Sequence, residues 1–320
     1  MIKRGETYLA WARELDHPTG PPQPEPRPQP KPPLAVRPRG LSVTEIEHWL
    51  RDPYTIYAKH ILRLRPLDPV DAEPGAAARG TFIHAAIGEF AQAFSKSLPA
   101  DPIGELLALG RKHFSEIEDY PEARAFWWPR FERIARWFVN WEIERRGGVA
   151  AIDAEIKGEH EIKLEKGSFR LRGIADRIEL DNDGRYTIFD YKTGSARTEP
   201  QVRTGLAPQL TLEAAILRQG GFPGIAAQSS VARVAYVLVK GGEPPGDSKF
   251  IEFKDGTADS QAEHALQKLR ELATRFEDEN TPYRSLVHPM WATQYGDYDH
   301  LARVLEWTSA GEEDDDGSGE

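Results

Sequence analysis

The clearest alternation of apolar and polar positions in this chain surrounds residues 173–194. Two alternating runs flank the turn-forming sequence Asp181-Asn182-Asp183-Gly184, which predicts a β-hairpin. A three-residue loop with Gly184 in the left-handed conformation pairs Asp181 with Arg185. The same register places Asp176 directly opposite Asp190, with β-carbons about 4.5–5.5 Å apart. A slip of one residue would put the two aspartates on opposite faces and break the apolar alternation.

Periodicity elsewhere predicts helices and further strands. A capping box at Ser42 to Glu45 begins the first helix of the domain, and apolar spacing of three to four predicts helices over 82–94, 123–146, 209–218, 258–279 and 297–307. Strands are predicted over 151–157, 159–164, 231–239 and 249–253. This order predicts an α/β fold in which a mixed β-sheet is flanked by helices.

The two ends of the chain differ in composition from the middle. Ten of the residues 18–38 are proline, so residues 1–40 are predicted to be a disordered, proline-rich linker, although residues 8–15 have a helical pattern. Residues 310–320 form an acidic tail without core-forming side chains, and are predicted to be disordered. A single domain is therefore expected over 41–309. A linker at this position suggests a C-terminal piece of a larger protein, or one that works beside another.

Composition narrows the class of protein. The 320 residues are 39% hydrophobic and 29% charged, and contain no cysteine, so no disulfide or thiolate metal site can form. No run is apolar for long enough to cross a membrane, and a cytoplasmic location is expected. The net charge of −10 argues against nucleic-acid binding through overall charge, so any DNA contact must come from local basic patches.

The predicted hairpin carries candidate chemistry. Two facing carboxylates, Asp176 and Asp190, repel each other unless a cation lies between them. Mg²⁺ is commonly held by one or two carboxylates together with substrate phosphate. Lys192, two residues beyond Asp190, is then placed to orient a water molecule or stabilise charge on a phosphate. The alternative is an exposed hairpin whose charges merely face water.

Four motifs resemble the PD-(D/E)XK nuclease superfamily, in particular its RecB-type branch. The hairpin supplies two of them, Gly173-Ile174-Ala175-Asp176-Arg177-Ile178 and Asp190-Tyr191-Lys192-Thr193-Gly194. Arg79 to His84 resembles the Gly-x-x-x-His helix of that branch. Gln209 to Glu213 resembles its Gln-containing helix, with Glu213 where a tyrosine is frequent. Residues 42–57 and 298–307 look most like the C-terminal nuclease region of AddB, a subunit of bacterial helicase–nucleases.

The resemblance implies roles for these residues. Asp176, Asp190, Lys192 and Gln209 are expected to be catalytic. Mg²⁺ or Mn²⁺ is expected to be bound by His84, Asp176, Asp190 and the Tyr191 carbonyl, with Glu155 as a further acidic residue whose alternative is a surface strand position. Many such nucleases carry an iron–sulfur cluster on cysteines, one of them at the position of Asp52. Since those cysteines are missing here, no cluster is expected, and ordinary packing must join the ends of the domain.

The expected activity is metal-dependent hydrolysis of DNA, as an exonuclease that processes double-strand breaks for recombinational repair. Linear DNA ends or single strands would be the substrate, and a helicase subunit or an upstream helicase-like domain the partner, with no membrane involved. One alternative is a non-catalytic module that keeps the nuclease fold to guide DNA or dock a partner. Another is a free-standing nuclease unrelated to end processing. The arginines of 123–146 are open to two interpretations, a phosphate-binding face or a solvated one.

Overall fold

A computed structural model describes residues 2–17, 20, 26–67, 75–115, 120–254, 256–287 and 296–309. Its helices are α1 (Ile2–Asp16), α2 (Val43–Arg51), α3 (Pro53–Ile56), α4 (Ala76–Ala93), α5 (Pro102–Phe114), α6 (Pro121–Arg146), α7 (Glu199–Thr204), α8 (Gln209–Arg218), α9 (Ala258–Arg275) and α10 (Val304–Ser309). Its strands are β1 (Gly40–Ser42), β2 (Val149–Leu164), β3 (Gly167–Asp181), β4 (Tyr186–Lys192), β5 (Val231–Val239) and β6 (Gly246–Phe250). The predicted acidic tail over 310–320 lies outside the described residues.

The six strands form one mixed sheet in which β3 has three neighbours. Along one edge it pairs with β2 in antiparallel fashion over nearly its whole length. Along the other edge its first half pairs with β1 in parallel and its second half pairs with β4 in antiparallel fashion. The sheet continues with β5 parallel to β4 and β6 antiparallel to β5. The prediction of a mixed α/β sheet is confirmed.

The predicted hairpin is β3–β4, and its register is confirmed. Ile178 pairs with Ile188 and Leu180 pairs with Tyr186. In the turn, Gly184 has φ 78°, and the Asp181 backbone N–H donates to the Arg185 carbonyl at 2.9 Å. Continuing the same register places Asp176 opposite Asp190.

Helices cover both faces of the sheet. On one face, α2, α8 and α9 pack on a core that includes Ile178, Ile188 and Val234. On the other, α4, α5 and α6 pack on a second core that includes Phe189 and Tyr191. Because side chains alternate along β4, Asp190 belongs to the face that α8 covers. No helix of the described part of the chain is long and apolar enough to cross a membrane.

Several predicted elements differ in extent from the observed ones. The two strands predicted over 151–157 and 159–164 are one strand, because Gly158 stays in the ladder opposite Gly173. Its missing side chain makes room for Phe222, whose ring a β-carbon at 158 would meet at 2.5 Å. The strand predicted over 249–253 begins earlier, at Gly246. The helix predicted over 297–307 is helical only at Val304–Ser309.

Within the segment predicted to be a disordered linker, Ile2–Asp16 is a helix, and residues 26–39 lie against the domain. Arg37 is buried, and its guanidinium donates to the carbonyls of Phe276, Asp278 and Glu279 just beyond α9, at 3.1, 3.0 and 2.8 Å. The Tyr283 backbone N–H donates to the Pro30 carbonyl at 2.9 Å. Residues 26–39 therefore run as an extended segment along the C-terminal part of the domain.

The region around Asp52, where the resemblance places a cluster cysteine, is held by hydrogen bonds and aromatic packing. Asp52 accepts from the backbone N–H of Leu286 at 3.2 Å. Tyr54 and Tyr298 lie in one small buried cluster, and the Tyr298 hydroxyl donates to the Leu64 carbonyl at 2.8 Å. Contacts of this kind join the first helices of the domain to its C-terminal segment.

The last arginines of α6 form ion pairs, which favours the interpretation without a phosphate-binding face. Arg145 pairs with Glu179 and Arg146 pairs with Glu142. Both carboxylates also contact Arg177, which is fully buried in the sheet. These cations balance buried acids instead of facing an external phosphate.

Candidate active site

The two aspartates stand where the β3–β4 ladder ends. The backbone pairing of β3 with β4 ends at Arg177 and Phe189. Next to it, the Asp176 side chain replaces a backbone acceptor: its Oδ2 accepts from the Tyr191 backbone N–H at 2.6 Å. This bond fixes the Asp176 carboxyl beside the end of β4, and the side chain is 16% exposed. Tyr191 itself points to the opposite face and is buried in the second core.

Asp190 is buried and is contacted by Lys192 and Gln209. Its Oδ1 accepts from Gln209 Nε2 at 2.5 Å and from Lys192 Nζ at 3.0 Å. Lys192 Nζ also lies 2.8 Å from Oδ2, but without hydrogen-bond geometry, so the buried Oδ2 has no hydrogen-bond donor among the described residues. Lys192 also donates to Gln209 Oε1 at 3.3 Å, which closes a triangle of three side chains.

Burial is the largest influence on the pKa values of the two aspartates. It raises the pKa of Asp176 to about 7 against the bond from Tyr191, and the Glu155 carboxylate adds to the rise. Burial and the adjacent Asp176 raise the pKa of Asp190 to about 6, although Lys192 opposes this. For Lys192, burial lowers the pKa, but Asp190 outweighs that effect and the net pKa lies above its ordinary value. Lys192 is therefore an ammonium at neutral pH.

A third buried carboxyl, Glu213, lies one helical turn after Gln209. Positions four apart share a helix face, and Gln209 Nε2 donates to Glu213 Oε1 at 3.2 Å. Its Oε2 is buried without a hydrogen-bond partner in the described part of the chain. Burial, with Asp190 and Asp176 nearby, raises the pKa of Glu213 well above its ordinary value. The sequence showed Glu213 only as a departure from the family's tyrosine, and its helical spacing from Gln209 was the available signal.

Helix α4 brings His84 to the site. His84 Nδ1 lies 3.8 Å from Asp176 Oδ2, and burial lowers the pKa of the imidazole, which keeps it neutral. Gly80 and Gly88 stand one turn before and after His84 on the same face. A β-carbon at Gly80 would meet Thr193 Oγ1 at 2.9 Å, and one at Gly88 would meet Glu155 Oε1 at 2.6 Å. The two glycines let α4 approach the middle of β2 and the end of β4.

Glu155 occupies an irregular point of β2. Its φ is 51°, and the ladder skips it: Ala154 pairs with Arg177 and Ile156 pairs with Ala175. The skipped partner is Asp176. This conformation turns the Glu155 carboxyl toward α4, and burial raises the pKa of Glu155.

Two cavities meet at the aspartates. The larger, of about 1190 Å³, is lined by Asp176, Asp190, Lys192 and Gln209, together with residues of β2, β3, the start of α2 and the loop 220–226. The smaller, of about 880 Å³, lies between α4, Glu155 and Thr193. Both are lined by His84 and Asp176. Sequence reasoning did not identify the cations Lys157 and Arg172 in the larger cavity, since in sequence they are ordinary polar positions of strands.

The donor set fits a hard divalent cation. Asp176 and Asp190 are adjacent carboxyls with raised pKa values, and the buried Asp190 Oδ2 lacks a hydrogen-bond donor. Such a pair suits Mg²⁺, which keeps several water molecules and takes few protein ligands. Among the described residues, no three His, Cys, Asp or Glu side chains form a metal-binding group. The fit therefore rests on the two aspartates, and the wider ligand set with His84, Glu155 and the Tyr191 carbonyl stays a prediction.

Comparison with known proteins identifies the class to which this site belongs. The family model of the PD-(D/E)XK nuclease superfamily matches residues 40–288. The chain belongs to this superfamily, and its mixed sheet with helices on both faces is consistent with the superfamily's fold.

The curated relatives are longer than this chain. An uncharacterized protein of Rickettsia bellii (strain RML369-C) is 30% identical over 278 residues, which are 82% of this chain and 32% of that protein. One of Rickettsia felis (strain ATCC VR-1525 / URRWXCal2) is 34% identical over 191 residues, 58% of this chain and 22% of that protein. The chain thus spans about a third or less of these relatives. A solved structure from Eubacterium rectale, named "Putative exonuclease", has a TM-score of 0.44 and 12% identity, covering 84% of this chain and 95% of that one.

Proposed function

We propose that this protein hydrolyses DNA phosphodiester bonds with Mg²⁺ or Mn²⁺ bound at Asp176 and Asp190. The observation that carries the proposal is the convergence of both aspartates with Lys192 and Gln209 at one end of the sheet, where the buried Asp190 Oδ2 is ion-paired with Lys192 and has no other donor among the described residues. A surface hairpin whose charges merely face water would not bury Asp190 or join these side chains.

The proposed role of each residue in the site follows from its charge. When bound, the metal supplies a water of lowered pKa and positive charge for the phosphate oxygens. Lys192, held as an ammonium beside Asp190, is placed to orient the attacking water and to donate to a phosphate oxygen. Gln209 fixes Asp190 and Lys192 relative to each other. His84, which is neutral, and the Glu155 carboxyl complete the wall beside Asp176.

The biological setting is also a proposal. We infer exonucleolytic processing of DNA ends at double-strand breaks for recombinational repair, in the cytoplasm, as the nuclease part of an AddAB-type helicase–nuclease. The motifs over 42–57 and 298–307 support this setting. So does the length of the R. bellii protein, of which the matched region is only 32%, which leaves room there for other domains.

The proposal is tested by cleavage of linear single- and double-stranded DNA in Mg²⁺ or Mn²⁺. The Lys192→Ala variant should cut at least about 100-fold more slowly, because it loses a donor to the developing charge. Lys163→Ala is the matched control, since Lys163 is an exposed lysine on β2 that lines neither cavity. It should cut as the wild type does.

Three other outcomes would count against the proposal. Cutting that survives Lys192→Ala unchanged would place the chemistry elsewhere. Cutting that continues in EDTA would exclude the metal. Wild-type protein that binds DNA without cutting it, even when a helicase partner is added, would favour the non-catalytic module that guides DNA.

A further inference from the structure

The candidate active site stands at the junction of two cavities of different charge. His84 and Asp176 line both of them, so a strand whose scissile phosphate lies at Asp176 can extend from there into either cavity. The residues that belong to only one cavity can therefore distinguish the two directions along the substrate.

The larger cavity carries two cations outside the catalytic group. Lys157 on β2 and Arg172 on β3 are exposed, and neither side chain forms an ion pair or hydrogen bond with another described residue. Arg172 lies four residues before Asp176 on the same strand face, about 13 Å away at about 3.3 Å per residue. Lys157 pairs with Ile174, halfway along this path. The two cations thus form a line that leads to Asp176.

One carboxylate, Glu159, lies in the same cavity opposite Arg172. Its side chain and the guanidinium are not within ion-pair distance of each other in the described structure, so Arg172 keeps its charge available. Glu159, which is also two residues from Lys157 on the same face of β2, lowers the positive potential along the line without pairing with either cation.

The smaller cavity has the opposite character. Outside the shared residues, its charged lining consists of Glu89 and Glu155, and none of its described lining residues is a lysine or an arginine. His113 lines it as well but donates to or accepts from Glu89 at 2.7 Å. Glu89 is also paired with Lys112 at 2.7 Å. The first cavity therefore attracts a polyanion through Lys157 and Arg172, whereas the described lining of the second offers it no such cation.

We propose that Lys157 and Arg172 form a phosphate-binding track that holds the DNA strand on one side of the scissile bond. This inference rests on the proposed function and adds a direction to it. The track binds the backbone of the strand and reads no base, because both contacts are charges that meet phosphate.

The test compares the Lys157→Ala/Arg172→Ala double variant with wild type and with Lys163→Ala. The steady-state kinetics of cleavage are measured in Mg²⁺ on labelled single-stranded substrates from dinucleotide to octanucleotide, at several salt concentrations. In wild type, KM should fall as the substrate lengthens. In the double variant, KM should no longer fall with substrate length, and KM for the octanucleotide should be about tenfold higher than in wild type. The value of kcat should stay unchanged.

Salt dependence supplies a second readout. Each phosphate contact contributes about 0.7 to the slope of log affinity against log salt for single strands. The double variant should therefore lose about 1.4 from that slope, and Glu159→Gln should tighten binding. Lys163→Ala should match wild type in both.

The failure of this inference differs from the failure of the proposed function. If wild type cuts, and the double variant keeps the same KM, length dependence and salt slope, the track is wrong and the nuclease stands. If wild type does not cut, the proposed function fails, and the dissociation constant of the labelled octanucleotide decides the track by the same salt slope. A double variant that binds as wild type does would then overturn it.

Discussion

At the scale of single residues, the candidate site opposes folding at neutral pH. Asp176, Asp190 and Glu213 are carboxyl groups whose pKa values burial raises. Each group binds its proton more tightly in the folded protein than in the unfolded chain. Ionising it therefore lowers the free energy of unfolding. The two ionised aspartates therefore destabilise the fold at neutral pH, and binding of the proposed cation would offset this cost.

The raised pKa values of the two aspartates predict an effect of pH on the stability of the metal-free protein. The folded pKa values of Asp176 and Asp190, about 7 and about 6, lie above the ordinary 3.8. Between about pH 4 and pH 7 the folded state thus holds more protons than the unfolded state, and these groups reduce stability as pH rises. In EDTA, Asp176→Asn should be about as stable as wild type near pH 4 and about 2 kcal/mol more stable at pH 8. Urea unfolding at both pH values measures this difference.

Asp183→Asn is the matched control for this prediction. Asp183 is an exposed aspartate in the β3–β4 turn, so its effect on the free energy of unfolding should change little between the two pH values. An Asp176→Asn variant that is no more stable than wild type at pH 8 would show that the Asp176 carboxyl is not held in a desolvated environment.

The residues of the site were predictable to different degrees. Asp176, Asp190 and Lys192 followed from hairpin register, which is local in sequence. His84 and Gln209 followed only from motif resemblance, because their approach to the aspartates depends on how α4 and α8 pack on the sheet. Lys157, Arg172 and the burial of Glu213 escaped prediction, since nothing in a strand or helix pattern says which polar residue faces a cavity.

At the scale of elements, turn residues and apolar alternation were sufficient to predict helices and strands whose contacts are local in sequence. Helix α8 and strand β5 have the predicted bounds of 209–218 and 231–239, because a continuous apolar surface indicates burial on both sides. The pattern missed α5 although Asp101 caps it and Pro102 begins it. It could not reveal that β1 pairs with β3 in parallel, since that contact joins positions about 130 residues apart.

Strand β2 allows a prediction about backbone strain at Glu155. A φ of 51° is unfavourable for a residue with a β-carbon and costs about 1 kcal/mol, whereas glycine adopts it freely. Glu155→Gly should therefore be about 1 kcal/mol more stable than Glu155→Ala in urea unfolding. Both variants remove the carboxylate, so their nuclease activities should be equally reduced.

The control for Glu155 is Lys163, an exposed residue of the same strand that pairs normally in the ladder with Ser168. There the order should reverse, with Lys163→Ala about 0.5–1 kcal/mol more stable than Lys163→Gly. If alanine were more stable than glycine at position 155 as well as at position 163, Glu155 would carry no backbone strain. Its side chain would then reach α4 without the bent backbone.

At the scale of the whole molecule, the domain is closed by polar contacts between distant parts of the chain. Residues 26–39 run along the end of α9, and Asp52 and Tyr298 join the first helices to the C-terminal segment. These contacts stand where a metal cluster would hold related nucleases together. The Arg37 guanidinium donates to three carbonyls just beyond α9. We therefore expect it to contribute much of the free energy with which residues 26–39 are held on the domain.

Replacing Arg37 by methionine tests the closure. The variant keeps the apolar stem but leaves the carbonyls of Phe276 and Glu279 without this donor, while the Asp278 carbonyl still accepts from the Thr281 backbone N–H at 3.0 Å. An unpaired buried group costs about 1–3 kcal/mol. Arg37→Met should therefore lower the free energy of unfolding by about 3 kcal/mol and speed amide hydrogen exchange over Leu34–Val36. Arg39→Met is the control: Arg39 is 39% exposed and pairs with Glu277, so its loss should cost about 1 kcal/mol or less. Equal losses in the two variants would mean that residues 26–39 lie on the domain without stabilising it, because a segment that closes the fold must couple its own exchange to the buried guanidinium.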